Sequence, residues 1–226
     1  MDKKVKGNVE RLLYDNYRVR TSGKSQALNI YQNNNGRFEG GRQHDPIYND
    51  ENVGRQIYTF GDSWTYGWDV EQEQTFTHLL GDENTAVHNY GAGGTGLDFA
   101  VKTLSEVYIP ESRRQIFIIT IPHLFRRTWF DDDGVVMRPW QVKEKVNINE
   151  YNNYFNFLHN YELLNTFIGR DKIIWGTWDG DLPEEYFDVF FERVDYTNDE
   201  LHPGPKSHKQ YADKLRVLLG KYESNG

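Results

Sequence analysis

The chain has no cysteine anywhere in its 226 residues. That absence excludes disulfides and thiolate metal sites, and it fits a protein that never relied on an oxidising compartment. Long apolar runs are missing too. No stretch approaches the ~20 residues of a membrane helix, and the mean hydropathy is −0.80, so no membrane partner is expected. Met1-Asp2-Lys3-Lys4-Val5-Lys6 is basic, but no apolar core follows it and it does not read as a secretory signal. These features point to the cytoplasm. The seven histidines form no His-x-x-x-His or His/Asp ligand pattern, and no glycine-rich loop matches a Walker motif or a dinucleotide fingerprint. Neither a catalytic metal nor another cofactor is expected.

Positive charge is scarce and uneven. Residues 1–55 carry ten Lys and Arg against seven Asp and Glu, whereas the remainder carries sixteen against twenty-seven. An acidic body repels phosphate backbones, which argues against nucleic acid as a partner. Residues 1–54 open with helical spacing over 8–20, then pass through Ser, Asn, Gly and Gln. They read as an arm or cap on the body, offering a contact for a homo-oligomer or larger assembly.

Residues 55–226 alternate strand and helix signals. Arg55 to Phe60 reads as a strand broken at Gly61, and Thr85 to Tyr90 as a second. Residues 95–108 predict an amphipathic helix stopped by Pro110, and the apolar run from Gln115 to Ile121 predicts a central strand. Trp129-Phe130 and Val135-Val136-Met137 predict a hairpin turning on Asp133-Gly134. A long aromatic helix is expected near 149–168, a strand over 172–178 and a last helix over 206–221. Alternating βα units imply parallel strands with helices on both faces, a three-layer α/β/α sandwich of four or five strands.

Two blocks carry the chemistry. Gly61-Asp62-Ser63-Trp64-Thr65-Tyr66-Gly67 sets a serine just past a strand end, where parallel sheets hold their ligands. Asp199-Glu200-Leu201-His202-Pro203 puts an acid and a base three residues apart before the last helix. Together they resemble the first and last blocks of the SGNH (GDSL-type) serine hydrolases, and His88-Asn89-Tyr90-Gly91-Ala92-Gly93-Gly94-Thr95 is similar to the second block. The resemblance spans residues 55–222 and implies a flavodoxin-like strand order, 2-1-3-4-5. The third block, Gly-x-Asn-Asp, is absent.

The resemblance implies Ser63 as nucleophile, His202 as general base and acid, and Asp199 as its orienter. Asp199 reaches the outer nitrogen of His202 only if the loop folds back, a bend that Pro203 and Gly204 favour. Backbone N–H groups of Ser63 and Gly94 are the expected oxyanion donors. His123, after the third strand, falls nearest the family's missing Asn, with Arg126 or Thr120 as alternatives and a functionless loop histidine as the rival. Asp62 is expected to brace the turn. Trp64, Trp68, Tyr66 and Tyr90 either stack on a sugar face or belong to the core. The implied activity is ester hydrolysis through an acyl-enzyme, on a small-molecule or glycan ester such as an acetylated carbohydrate. The alternative is a catalytically weak SGNH domain serving as a structural or glycan-binding part of a larger, viral assembly, hence a virion component. The missing third block and the arm favour that alternative.

Overall fold

A computed structural model describes residues 54–223, apart from 111, 113, 125, 131–135, 138–149 and 181. The expected arm therefore lies outside the described residues. Strand β1 (Arg55–Gly61) leads into the one-turn helix α1 (Ser63–Tyr66); a 3-10 turn and helix α2 (Phe76–Leu79) precede β2 (Thr85–Gly91). Helix α3 (Leu97–Val107) leads to β3 (Gln115–Ile121), then to the short strands β4 (Trp129–Phe130) and β5 (Val136–Met137). Helix α4 (Glu150–Leu164) continues as a π-helical segment over Asn165–Gly169, and then come β6 (Ile173–Thr177), β7 (Val189–Phe190) and α5 (Pro205–Glu223).

The main sheet has order β2-β1-β3-β6-β7, and every pairing in it is parallel. Setting the separate β4–β5 pair aside, this is the expected five-strand arrangement. The side-chain period of two explains the layers. Tyr58, Phe60, Phe117, Ile119, Ile121, Ile173 and Trp175 pack under α3 and α4, with Leu104 and Phe157 as their partners. Ile57, Ile118 and Ile174, between them in sequence, face the other way onto Phe76 of α2 and Tyr211, Ala212 and Leu215 of α5. Truncating a residue as buried as Phe60 or Trp175 to Ala costs about 3–5 kcal/mol. Among the described residues no helix is long and apolar enough to cross a membrane.

Local differences from expectation have local causes. Thr95 and Gly96 stay outside α3 because Thr95 Oγ–H donates to the Ala92 carbonyl at 2.7 Å and holds the preceding turn. In the hairpin, Phe130 lies opposite Val136, leaving five intervening residues. The expected Asp133-Gly134 turn lies outside the described residues. The last helix starts one residue early because Pro205 suits a first helical position, where a missing N–H costs nothing.

The parallel register brings the carboxyl ends of β1, β2, β3 and β6 to one edge. The residues just beyond them are Asp62-Ser63, Ala92 to Thr95, Pro122-His123 and Trp178-Asp179. That edge is where an open parallel sheet leaves its crevice.

Candidate active site

Asp62 caps α1: its Oδ1 accepts from Trp64 N at 3.0 Å, which fixes the turn that presents Ser63. Gly67 ends the helix at φ +79, a left-handed position that glycine occupies without penalty. The other Asp62 oxygen accepts from Arg126 Nη1 at 2.5 Å. Asp62 is fully buried, and burial pushes its carboxyl above the usual range while Arg126 works against that shift. The expected brace is thus a capping residue held by a buried ion pair.

The turn after β2 passes against the serine. A Cβ built on Gly93 would lie 3.9 Å from Ser63 Cβ, and Gly94 holds φ +74. Asn89 Nδ2 donates to the Thr65 carbonyl at 3.1 Å and ties this turn to α1. The backbone N–H groups of Ser63 and Gly94 have no acceptor among the described residues.

The loop from Thr197 to His202 brings the third element. Asp199 Oδ1 accepts from Thr197 Oγ at 2.6 Å, Leu201 N at 2.9 Å and His202 N at 3.0 Å. Its Oδ2 accepts from His202 Nδ1–H at 2.5 Å. Burial works to raise the Asp199 carboxyl, but these hydrogen bonds outweigh it and hold the group well below the usual carboxylate range. Asp199 is therefore an acceptor near neutral pH, which fixes the proton of neutral His202 on Nδ1. Nε2 is then the acceptor that meets Ser63 Oγ at 3.0 Å. Between acid and base the chain turns at Glu200, a non-glycine residue at φ +59. Strain of this kind persists only where surrounding contacts over-determine it. Here Asp69, itself at φ +57, supplies one such contact by accepting from Asn198 N at 3.1 Å.

Beyond β3, His123 lies in the same cleft of about 850 Å³ as Ser63 and His202. Its Nδ1–H donates to Asp179 Oδ2 at 2.6 Å, and its ring stands edge-on to Trp178 at 4.3 Å. The alternatives to His123 are otherwise committed: Arg126 to Asp62, and Thr120 to a 3.0 Å hydroxyl–hydroxyl bond with Tyr211 on the α5 side of the sheet. Trp64 stacks on Trp178 at 4.5 Å and both line the cleft, while Trp68 sits 6.0 Å from the His202 ring. Tyr66 stands 6.1 Å from Trp68. Tyr90 belongs to the core, stacked on Phe60 at 5.4 Å.

The structure thus joins Ser63, His202 and Asp199 in one hydrogen-bonded chain, puts His123 in the same cleft, and leaves Gly94 next in sequence to Gly93, which approaches Ser63. Sequence reasoning missed Trp178 and Asp179. Both directly follow the carboxyl end of β6, and that position was the available signal.

No protein-family model matches the chain, and no curated protein matches it. Solved structures similar to it include a member of the lipolytic G-D-S-L family from Veillonella parvula DSM 2008, at 16% identity over 73% of this chain and 98% of that one, with TM-score 0.45. The psychrotrophic esterase EstA from Pseudoalteromonas sp. is similar at 13% identity over 75% and 99%, with TM-score 0.47. A family two carbohydrate esterase from Clostridium thermocellum is similar at 14% identity over 76% of this chain and 65% of that one, with TM-score 0.45. At such identities and TM-scores these likenesses bear no weight on the chemistry, which rests on the residues of this chain alone.

Proposed function

We propose that the protein is a serine ester hydrolase working through an acyl-enzyme. One observation carries this reading: His202 Nε2 sits 3.0 Å from Ser63 Oγ while Asp199 holds the opposite ring nitrogen. A serine hydroxyl is a weak nucleophile until a base with a fixed tautomer takes its proton. Ser63 Oγ attacks the ester carbonyl carbon as its proton passes to His202 Nε2. The tetrahedral oxyanion accepts from the N–H groups of Ser63 and Gly94, each such donor being worth about 2.7–4 kcal/mol. Collapse breaks the acyl C–O bond, and His202 returns the proton to the leaving alcohol. Water, deprotonated by His202, then attacks the acyl carbonyl, frees the acid and restores Ser63.

His123 is assigned as a third contributor to oxyanion binding. With its Nδ1–H directed to Asp179, Nε2 is the ring nitrogen left to face the cleft, and it donates when it also carries a proton. On this reading His123 takes the part that an amide plays in the SGNH pattern. The Trp64–Trp178 wall supports a substrate with a flat or apolar face, such as the acetylated face of a sugar. The assembled acid–base–serine chain favours an enzyme over a catalytically weak binding domain. Stopped-flow hydrolysis of 4-nitrophenyl acetate tests the reading. The expected result is a burst of nitrophenolate near one equivalent per chain, absent from Ser63→Ala. No turnover by folded wild-type protein overturns it.

A further inference from the structure

Five ionisable side chains line the cleft, and four of them stand in pairs. His202 meets Asp199, His123 meets Asp179, Arg126 meets Asp62, and Glu192 meets Lys214 at 2.9 Å. Arg193 is the exception: no carboxylate faces it among the described residues. Its Nη1–H donates to the Leu201 carbonyl at 2.6 Å. Its guanidinium lies 5.6 Å from the Trp64 ring centre and 4.5 Å from that of Tyr196. Two rings and one carbonyl therefore hold the guanidinium in place and use only part of its donor fork. In a chain with 34 acidic residues against 26 basic ones, an exposed cation at the cleft edge that no acid of the chain meets among the described residues is available to an acid that arrives with the ligand. The neighbouring Glu192 does not cancel it, because Lys214 already does so. Tyr196 and Leu201, exposed at 55% and 67%, edge the same cleft with apolar surface that suits a short aliphatic spacer.

We propose that the cleft selects esters bearing a carboxylate remote from the scissile bond, with Arg193 reading that carboxylate. A planar guanidinium matches a carboxylate with two parallel N–H···O bonds, and the aromatic backing preserves its orientation at little entropic cost. The inference rests on the hydrolase reading for which bond is cleaved, but the subsite itself is testable without turnover.

The test uses Ser63→Ala protein and tryptophan fluorescence, since Trp64 and Trp178 line the cleft, with monomethyl succinate compared against its neutral analogue dimethyl succinate. The monoanion binds about tenfold more tightly, as expected for one charge-assisted fork. Raising the ionic strength from ~20 mM to ~500 mM erodes the preference, because a partly exposed charge is screened. Arg193→Gln abolishes it and Arg193→Lys retains part of it. Equal affinities for the two esters, or a preference indifferent to salt, overturn the proposal, and the salt series decides even if the Arg193 variants fail to fold. Wild-type turnover of dimethyl succinate reads the other claim separately. Anion preference without turnover removes the hydrolase and keeps the subsite, whereas turnover without anion preference does the reverse.

Discussion

Two aspartate–histidine pairs face the same cleft with almost the same contact, 2.5 Å for Asp199–His202 and 2.6 Å for Asp179–His123. Each carboxylate fixes its histidine's proton on Nδ1. What separates them is the neighbour. The His202 ring is aimed by the Glu200 bend at Ser63 Oγ, 3.0 Å away, while the His123 ring stands edge-on to Trp178. The comparison teaches that an acid–base pair becomes a nucleophile-activating device only through the third group it meets. One cleft can therefore hold an identical pair in another role.

The largest expected effect separates the two histidines. Ser63→Ala and His202→Ala lower turnover of a small activated ester by about 10⁴–10⁶. His123→Ala lowers it by about 10²–10³ with little change in KM, as for loss of one oxyanion donor. His123→Asn, which restores a neutral amide donor, keeps much of the activity. Steady-state kinetics on the three alanine variants measures the gap, and equal losses at His123 and His202 erase the distinction.

The two aspartates sharpen it further. Asp199→Asn leaves the geometry but permits the wrong tautomer, so kcat falls by about 10⁴. Asp179→Asn removes the carboxylate that orients the His123 ring, and here the loss in kcat is expected below about 10². Steady-state kinetics on the two variants checks this. Equal losses in Asp179→Asn and Asp199→Asn contradict separate roles for the two pairs.

A smaller effect concerns acid stability. Asp199 and Asp195 both titrate below the usual carboxylate range in the folded chain. For Asp195, burial works upward and is outweighed by hydrogen bonds from the Ser207 hydroxyl and the Lys206 and Ser207 amides. A carboxyl lowered by folding stabilises the native state above its unfolded value of about 3.9, and loses that contribution as pH falls through the folded value. Asp62, raised by burial, contributes with the opposite sign. The melting temperature of wild type is expected to drop steadily below about pH 4, and less steeply in Asp195→Asn. At neutral pH Asp195→Ala removes acceptors from Lys206 N and Ser207 N at the start of α5. That costs about 0.5–2 kcal/mol, or a few degrees by calorimetry. An unchanged melt shows that Ser207 and water replace the cap.

How much of this was legible follows the same division. The Asp199–His202 pair lies within four residues, so spacing alone brought it to notice, although the left-handed turn at Glu200 between them did not show. A left-handed φ at glutamate has no sequence signal, whereas proline and glycine attract attention whether or not they turn the chain. The Asp179–His123 pair spans 56 residues and two strands. It emerges only once the register of β3 against β6 is known. The sheet itself was readable because alternate residues in β1, β3 and β6 are apolar on both faces, which only a doubly covered sheet demands. Hairpin register was not readable, because an Asp-Gly pair signals a turn without fixing how many residues precede it.

The central claim is that Ser63 is activated by His202, and a fluorophosphonate probe tests it most directly, since it phosphonylates only an activated serine. Incubation of folded protein followed by peptide mass spectrometry is expected to locate one adduct, on Ser63. His202→Ala should be labelled slower by orders of magnitude, and His123→Ala less severely, in line with the loss of one oxyanion donor. Wild-type protein that stays unlabelled while folded, or that is labelled as fast without His202, contradicts the account.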